Sequence, residues 1–411
     1  MLNAIQQAFK ALLANKGRTF LTTLGIMIGI ATVILVLSAG AGFRELINKE
    51  IDTFGTNTLY IQTKVPSNNK NNSPRDEVSS GITITSFKQR DLDDIKKLPN
   101  VVNDYGIVLG QAAASYRNNH KTAVYVGTSA TMFEIDKNKL QAGRFFTAAE
   151  DAGGAQVAVI GYKIASSLFQ QDDPVGKILR IGSLNFQVIG VYEPSSGISG
   201  GNDDYIYMPL VTAQKKMLGI NYLLQGVIQV QDNNLSAVTS EEIKNVMRRN
   251  HNITNPDKDD FEVMTQEQLM DIINTIFDSI TILLIAIAAI SLIVGGVGIM
   301  NIMYVVVTER TAEIGLRKAL GAKNANILQE FLVEAVVVTL IGGVIGILFG
   351  AFLTWVLTSV AVANGLSWTF VLPLYAIGIG FGVSAIIGIS FGVLPAVNAS
   401  KMDPIEALRH E

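Results

Sequence analysis

The residues best placed for chemistry lie in one short charged run, 308–322 (TERTAEIGLRKALGA). On a helix, Glu309, Arg310, Glu313, Arg317 and Lys318 can form i,i+4 ion pairs, as Glu313 does with Arg317. Ile314, Leu316 and Leu320 are expected to give that helix an apolar side. Gly321 is placed to close its C-terminus. A helix of this kind can dock into a partner, although the same residues could equally form a solvated loop. Its chemistry is recognition, because no catalytic constellation accompanies it. The chain has no G-x-x-x-x-G-K-[ST] phosphate loop, nucleophile elbow, H-E-x-x-H or EF-hand pattern. With no cysteine, disulfides, thiolate zinc sites, iron–sulfur clusters and thiol nucleophiles are excluded. His120, His251 and His410 are too scattered for a metal site, and Asp172-Asp173 reads as a turn. The expectation is a non-catalytic protein with no metal and no cofactor of its own.

The elements around that run are membrane spans. Charged residues make up 16% of the 411, well below the ~25% of a soluble domain. Mean hydropathy is +0.34. No Asp, Glu, Lys or Arg occurs in 19–43, 279–308 or 335–400. About 20 apolar residues cross the hydrocarbon core as a helix, and one central charge there costs roughly 2.5–3.5 kcal/mol. The first two stretches hold one span each. The third holds two, parted by an interfacial turn at 363–373 with Asn364, Gly365, Ser367, Trp368 and Pro373. Spans are therefore predicted at 19–41, 281–305, 336–360 and 374–396. No Asp, Glu, Lys, Arg or His lies within them, which argues against proton- or ion-coupled transport. Small residues recur four apart, as in Gly25/Gly29, Gly342/Gly346/Gly350, Gly378/Gly382 and Gly388/Gly392, a spacing that lets helices approach closely.

Orientation follows from the basic residues. Lys10, Lys16 and Arg18, then Arg310, Arg317, Lys318 and Lys323, then Lys401 and Arg409 all flank the spans on one side. The positive-inside rule puts both termini and 306–335 in the cytoplasm, making this a multi-pass protein of the inner (cytoplasmic) membrane. The apolar run 19–43 is longer than the 7–15 residues of a secretory core, so it is expected to stay as an anchor despite the A-x-A pattern at 39–41. Residues 1–18 read as an amphipathic helix on the inner leaflet, with packing on another subunit as the alternative. The tail is 397–411. The region 44–278 carries 23 Lys and Arg against 28 Asp and Glu, an ordinary soluble balance, and faces outward. A net charge of −3 gives nucleic acid no attraction.

Two apolar stripes continue past the bilayer edge and read as stalk helices. One holds Phe43, Leu46, Ile47, Ile51 and Phe54, the other Leu269, Ile272, Ile273, Ile276, Phe277 and Ile280. The alternative is that they pack into the outer domain. That domain reads as mixed α/β. Strands are predicted at 58–63, 101–109, 112–117, 122–126, 156–160, 177–181, 185–192, 205–208, 226–231 and 261–264, and helices at 86–98, 162–169 and 235–251. The stretches 65–81 and 195–204 are polar loops. The fold class is thus an α-helical membrane protein with four transmembrane helices and a large α/β extracytoplasmic domain (42–280) between helices 1 and 2.

Residues 295–322 (GGVGIMNIMYVVVTERTAEIGLRKALGA) closely resemble the FtsX-like permease domain of MacB-type ABC transporters. The likeness continues in 329–335 (QEFLVEA), 395–411 (PAVNASKMDPIEALRHE) and 14–30 (ANKGRTFLTTLGIMIGI). GRFF at 143–146, DPVG at 173–176 and FQVIGV at 186–191 resemble that family's periplasmic core domain. The resemblance implies an exporter permease that works as a homodimer with two ATPase domains. It implies that 306–335 contacts the ATPase, with Glu309, Arg310, Glu313, Gly315, Arg317, Lys318 and Gly321 as coupling residues, and that the stalk transmits ATP-driven closure outward. It further implies a porter-like part at 56–115 and 221–264 with an inserted β-rich subdomain at 116–220. ATP and Mg would be bound by a separate ATPase subunit, and a periplasmic adaptor and outer-membrane channel would complete the pump in bacteria with two membranes. The cargo would be antibiotics, peptides or other amphiphiles. Regulation of a cell-wall hydrolase and lipoprotein extraction are the alternatives that similar permeases present.

Overall fold

A computed structural model describes residues 16–53, 55, 57–66, 83–195 and 202–409. Nearly all of the expected N-terminal helix, most of the polar loop 65–81, the centre of the loop 195–204, and Phe54 lie outside the described residues, as does the Ile51 side chain. The chain forms two units, one of 47–273 and one of 1–46 with 274–411.

Helix α1 (Lys16–Thr53) leads into the first unit, which is built on a ten-stranded sheet. Its strands are β1 (Thr58–Thr63), β2 (Val101–Tyr116), β3 (Asn119–Thr128), β4 (Leu140–Gly143), β5 (Val157–Ile160), β6 (Ile178–Ile181), β7 (Leu184–Tyr192), β8 (Tyr205–Pro209), β9 (Gln225–Val230) and β10 (Phe261–Thr265). The order is β10-β1-β9-β2-β3-β8-β5-β7-β4, with β6 against β2 and β7. β1 runs antiparallel to both β9 and β10, so the β9–helix–β10 segment is a split βαβ with β1 inserted. The two strands expected at 101–109 and 112–117 are one strand, β2. Its early residues pair with β9 and its later ones with β3. Gly110 does not break it, because a side chain there would strike the Tyr125 ring at 2.3 Å; the ring occupies that space instead.

Helices α2 (Gln89–Ile95), α3 (Tyr162–Phe169) and α4 (Ser236–His251) accompany the sheet. The helix expected at 86–98 is shorter: the Asp91 carboxylate accepts the Lys88 N–H at 2.8 Å and sets the start. Leu92 and Ile95 of α2 and Ile243 and Met247 of α4 share a buried cluster with Leu59, Ile61, Phe261 and Val263. One buried polar group ties these elements together. His251 Nδ1 lies 2.7 Å from Asp260 and Nε2 lies 3.4 Å from Asp91. Burial alone would lower the imidazole pKa, but hydrogen bonds and charge from Asp260 and Asp91 outweigh it and raise it to about 9. The ring is therefore an imidazolium clamped between carboxylates.

The second unit holds the long apolar helices: α5 (Gln266–Glu309) from Asn274 on, α7 (Asn324–Ala363) and α8 (Leu374–Lys401), with the earlier part of α1. Among the described residues, four helices are long and apolar enough to cross a membrane. Ile26, Ile30 and Ile34 of α1 are buried with Leu292 and Ile299 of α5, Ile347 of α7 and Ile387 of α8. The glycines explain the closeness in part. A Cβ on Gly25 would sit 2.9 Å from the Gly295 Cα, and one on Gly388 would sit 2.9 Å from the Val336 Cα. Gly378 and Gly382 face nothing within 4 Å. Spacing alone does not tell which small residues meet a neighbour.

Candidate functional site

α5 stops at Glu309, where Arg310 leaves helical geometry, and the chain restarts as α6 (Thr311–Ala319). α6 closes in a Schellman turn. Ala322 N–H donates to Arg317 O and Gly321 N–H to Lys318 O, both at 3.0 Å, with Gly321 at φ +93°. A residue with a Cβ would be strained there.

The cations of α6 point inward. Arg317 Nη1 donates to both carboxylate oxygens of Glu330 of α7, at 2.7 and 2.8 Å, and Nη2 donates to Glu313 one turn back at 2.5 Å. Hydrogen bonds to Glu330 hold its guanidinium above the usual arginine value. Arg310 reaches the buried Glu334 at 3.3 Å. Lys318 donates to the carbonyls of Ser400 and Met402 at 2.8 and 2.6 Å, where α8 ends and α9 (Pro404–Arg409) is about to begin. These groups satisfy carbonyls at a helix C-terminus, where a cation is favoured. Ile314 and Gly315 are buried. Through these contacts α6 is fastened to α7 and to the end of α8.

The expected single apolar side of α6 is corrected. Ile314 faces the interior, while Leu316 and Leu320 are 53% and 81% exposed. At 100° per residue, Leu316 lies some 200° from Ile314, whereas Leu316 and Leu320 are one turn apart. Ile405 of α9 is 78% exposed, and Glu309 is exposed at the α5 end. The outward surface of these helices thus presents Leu316, Leu320 and Ile405 beside Glu309 and Glu313, while Arg310, Arg317 and Lys318 have partners within the chain.

At the other end of this unit, aromatic rings gather. Phe43 of α1 meets Phe277 of α5 at 4.4 Å between centroids, and Trp368 of the α7–α8 turn edge-on at 5.7 Å. Arg44 pairs with Asp278 beside them. Leu46 is buried and Ile47 half-buried. On α5, Leu269 and Ile273 are half-buried, but Ile272 and Ile276 are 49% and 53% exposed. The structure therefore places the stalk residues on two faces rather than one. Arg44, Trp368 and Asp278 escaped sequence reasoning; the one signal was an aromatic residue in an uncharged turn at the end of a span.

Residues 19–246 match the family model of the MacB-like periplasmic core domain, and residues 285–404 that of the FtsX-like permease C-terminal region. A macrolide export ATP-binding/permease protein MacB from Bdellovibrio bacteriovorus is 36% identical over 418 residues, covering 100% of this chain and 62% of that protein. MacB 2 from Aeromonas hydrophila is 34% identical, covering 99% of this chain and 60% of that protein. A pyoverdine export ATP-binding/permease protein PvdT from Pseudomonas savastanoi pv. phaseolicola is 34% identical, covering 100% and 60%. The chain spans about three fifths of the length of these relatives.

Proposed function

The chain belongs to the family of MacB-like ABC permeases, and from that premise we propose that it is the permease component of an exporter whose ATP is hydrolysed by an ATP-binding partner. ATP and its magnesium sit on that partner. α6 receives its movement, and the outer domain does the work on the cargo. The single observation that carries this reading is the way α6 is held. Arg310, Arg317 and Lys318 tie it to α7 and to the end of α8, and it turns Leu316 and Leu320 outward. A force on such a helix moves the membrane helices with it, and an exposed leucine pair suits an apolar pocket on a cytoplasmic partner.

α5 adds the long lever. It is one unbroken helix of 44 residues, about 66 Å at 1.5 Å per residue, from the end of β10 to the start of α6. We take two copies to pair along it. Ile276, Ile280, Leu283, Ile287, Ile290 and Val294 recur at spacings of four and three, the seam of a left-handed helix pair, and all are exposed in one copy. From the basic flanks and the positive-inside rule, we take both termini and α6 to be cytoplasmic and the sheet to lie outside the inner membrane. Relatives named for macrolide and pyoverdine export support an exported cargo, here the class of macrolides, peptides and other amphiphiles. A periplasmic adaptor and an outer-membrane channel complete the route where a second membrane exists.

The test is reconstitution in lipid nanodiscs with the ATP-binding subunit from the same cells. The purified chain should hydrolyse no ATP alone. It should alter the partner's hydrolysis, and Leu316→Asp with Leu320→Asp should abolish that effect without preventing membrane insertion. Hydrolysis by the chain alone, or an effect indifferent to both substitutions, would refute the reading.

A further inference from the structure

β10 ends the ten-stranded sheet, and among the described residues no strand pairs with its outer side. The Lys64 N–H donates to Asp260 O at 2.8 Å, which makes that pair the hydrogen-bonded kind of an antiparallel ladder. Alternation then turns the backbone groups of Glu262 and Met264 toward β1, and those of Phe261, Val263 and Thr265 away from it. Two contacts confirm the alternation. Thr63 N–H donates to Leu224 O on the opposite side of β1, and Thr265 N–H is taken by Gln268 Oε1 at 3.0 Å. Among the described residues the outward N–H and C=O groups of Phe261 and Val263 have no partner.

This edge lies in a cleft of about 790 Å³. Its lining includes the edge itself, Arg248 of α4, Asp257 of the following turn, and Asp271 and Ile272 of α5. Such an edge is a template for pairing, and proteins that do not use one cover it or shorten it. Here the cleft leaves room beside it. A single extended chain, lying ~4.8 Å from β10, can enter between those walls. A second copy would bring its own walls with its edge and set Glu262 against its twin. Charge narrows the choice. Arg248 is neutralised by Asp259 at 2.6 Å and Lys244 by Glu241 at 2.7 Å. Among the described residues Asp257 and Glu262 have no ion-pair partner, against Lys64 as the one lining cation without one.

We propose that this cleft receives an extended segment of a second protein, bearing lysine or arginine at alternate positions, which adds to β10 as an eleventh strand. Main-chain hydrogen bonds to Phe261 and Val263 supply affinity, and the two carboxylates select the basic side chains. The segment would also touch the first turns of α5, so its binding is felt at the root of the longest helix. The proposal does not depend on the transport reading.

The test uses the full chain in nanodiscs and three fluorescent octapeptides that alternate valine with lysine, glutamate or threonine. The lysine peptide should bind saturably, about tenfold or more tighter than the glutamate one, and should slow amide exchange across 260–265. A version N-methylated at every second residue cannot pair and should not bind. Val263→Pro removes an outward N–H that the ladder never used, so β10 can keep its pairing with β1 while affinity falls by about tenfold or more. Unchanged exchange across β1 and β9 would show that the variant sheet survives; if it does not, the N-methylated peptide decides. No saturable binding by any of the three peptides, or binding indifferent to both N-methylation and Val263→Pro, overturns the proposal. So does disulfide formation between copies carrying Glu262→Cys, which would make a second copy the occupant.

Discussion

Raising the pH should loosen the outer domain at one identifiable place. His251 has a side chain 2% exposed and sits between Asp91 and Asp260, which are 0% and 16% exposed. Its pKa rises from 6.5 to about 9 on folding. A group whose folded pKa exceeds its unfolded value stabilises fully below the unfolded value. The contribution fades above pH 6.5 and is gone once the pH has risen through about 9. At 1.36 kcal/mol per unit the rise corresponds to roughly 3 kcal/mol, a sizeable part of the ~5–15 kcal/mol that holds a domain. Asp91 and Asp260 are shifted downward partly by the same contacts, so they describe one interaction and are not added again. The assay is hydrogen exchange of the full chain in nanodiscs, corrected for the intrinsic rate at each pH, read over α2 and α4. Protection there should be level from about pH 5.5 to 6.5 and fall steadily to pH 9.5. His251→Gln should start lower, because Asp91 is left buried without its cation, a loss of order 3 kcal/mol. The variant should also lose the slope. If it keeps the slope, or the native chain shows none, the clamp is not an ion triad and the reasoning fails.

Three further outcomes test other parts. Arg317→Glu should cut the partner's ATP hydrolysis severely while costing at most about 1 kcal/mol of stability, since the pair is partly exposed; adding Glu330→Arg should restore coupling, and failure of that swap would count against the lock. Ile276→Cys should form a disulfide between copies in the membrane, visible on a non-reducing gel, whereas Ile26→Cys, buried inside one copy, should not. The chain has no cysteine of its own. A cysteine at Ile178, 54% exposed, should therefore react with an impermeant reagent in intact spheroplasts, and one at Leu320 only after lysis; the reverse pattern would invert the orientation.

The parts of this fold that were legible in the sequence are those in which one physical cost repeats along consecutive residues. A charge in hydrocarbon is expensive at every position, so the empty stretches 19–43, 279–308 and 335–400 announce long apolar helices before any neighbour is known. Gly321 was legible for a related reason: a helix end needs a left-handed residue locally, and it took one at φ +93°. Pairings across the chain left no such trace. Arg317 was read with Glu313, four residues away, yet its two-pronged partner is Glu330, and the acceptors for Lys318 are carbonyls 82 and 84 residues on. Carbonyls belong to every residue, so no residue type marks them. His251 passed as a scattered histidine because its partners lie 160 residues upstream and 9 downstream. β10 was legible as a strand but not as an edge, since its place depends on β1 slipping between it and β9. A consequence follows for the charged helix α6. Its residue types identify a recognition element, but only the partners decide which of its side chains recognise and which hold it in place. Arg310, Arg317 and Lys318 are already occupied within the chain, so the grip proposed for a partner rests on what α6 leaves exposed, Leu316, Leu320 and Glu313 among them.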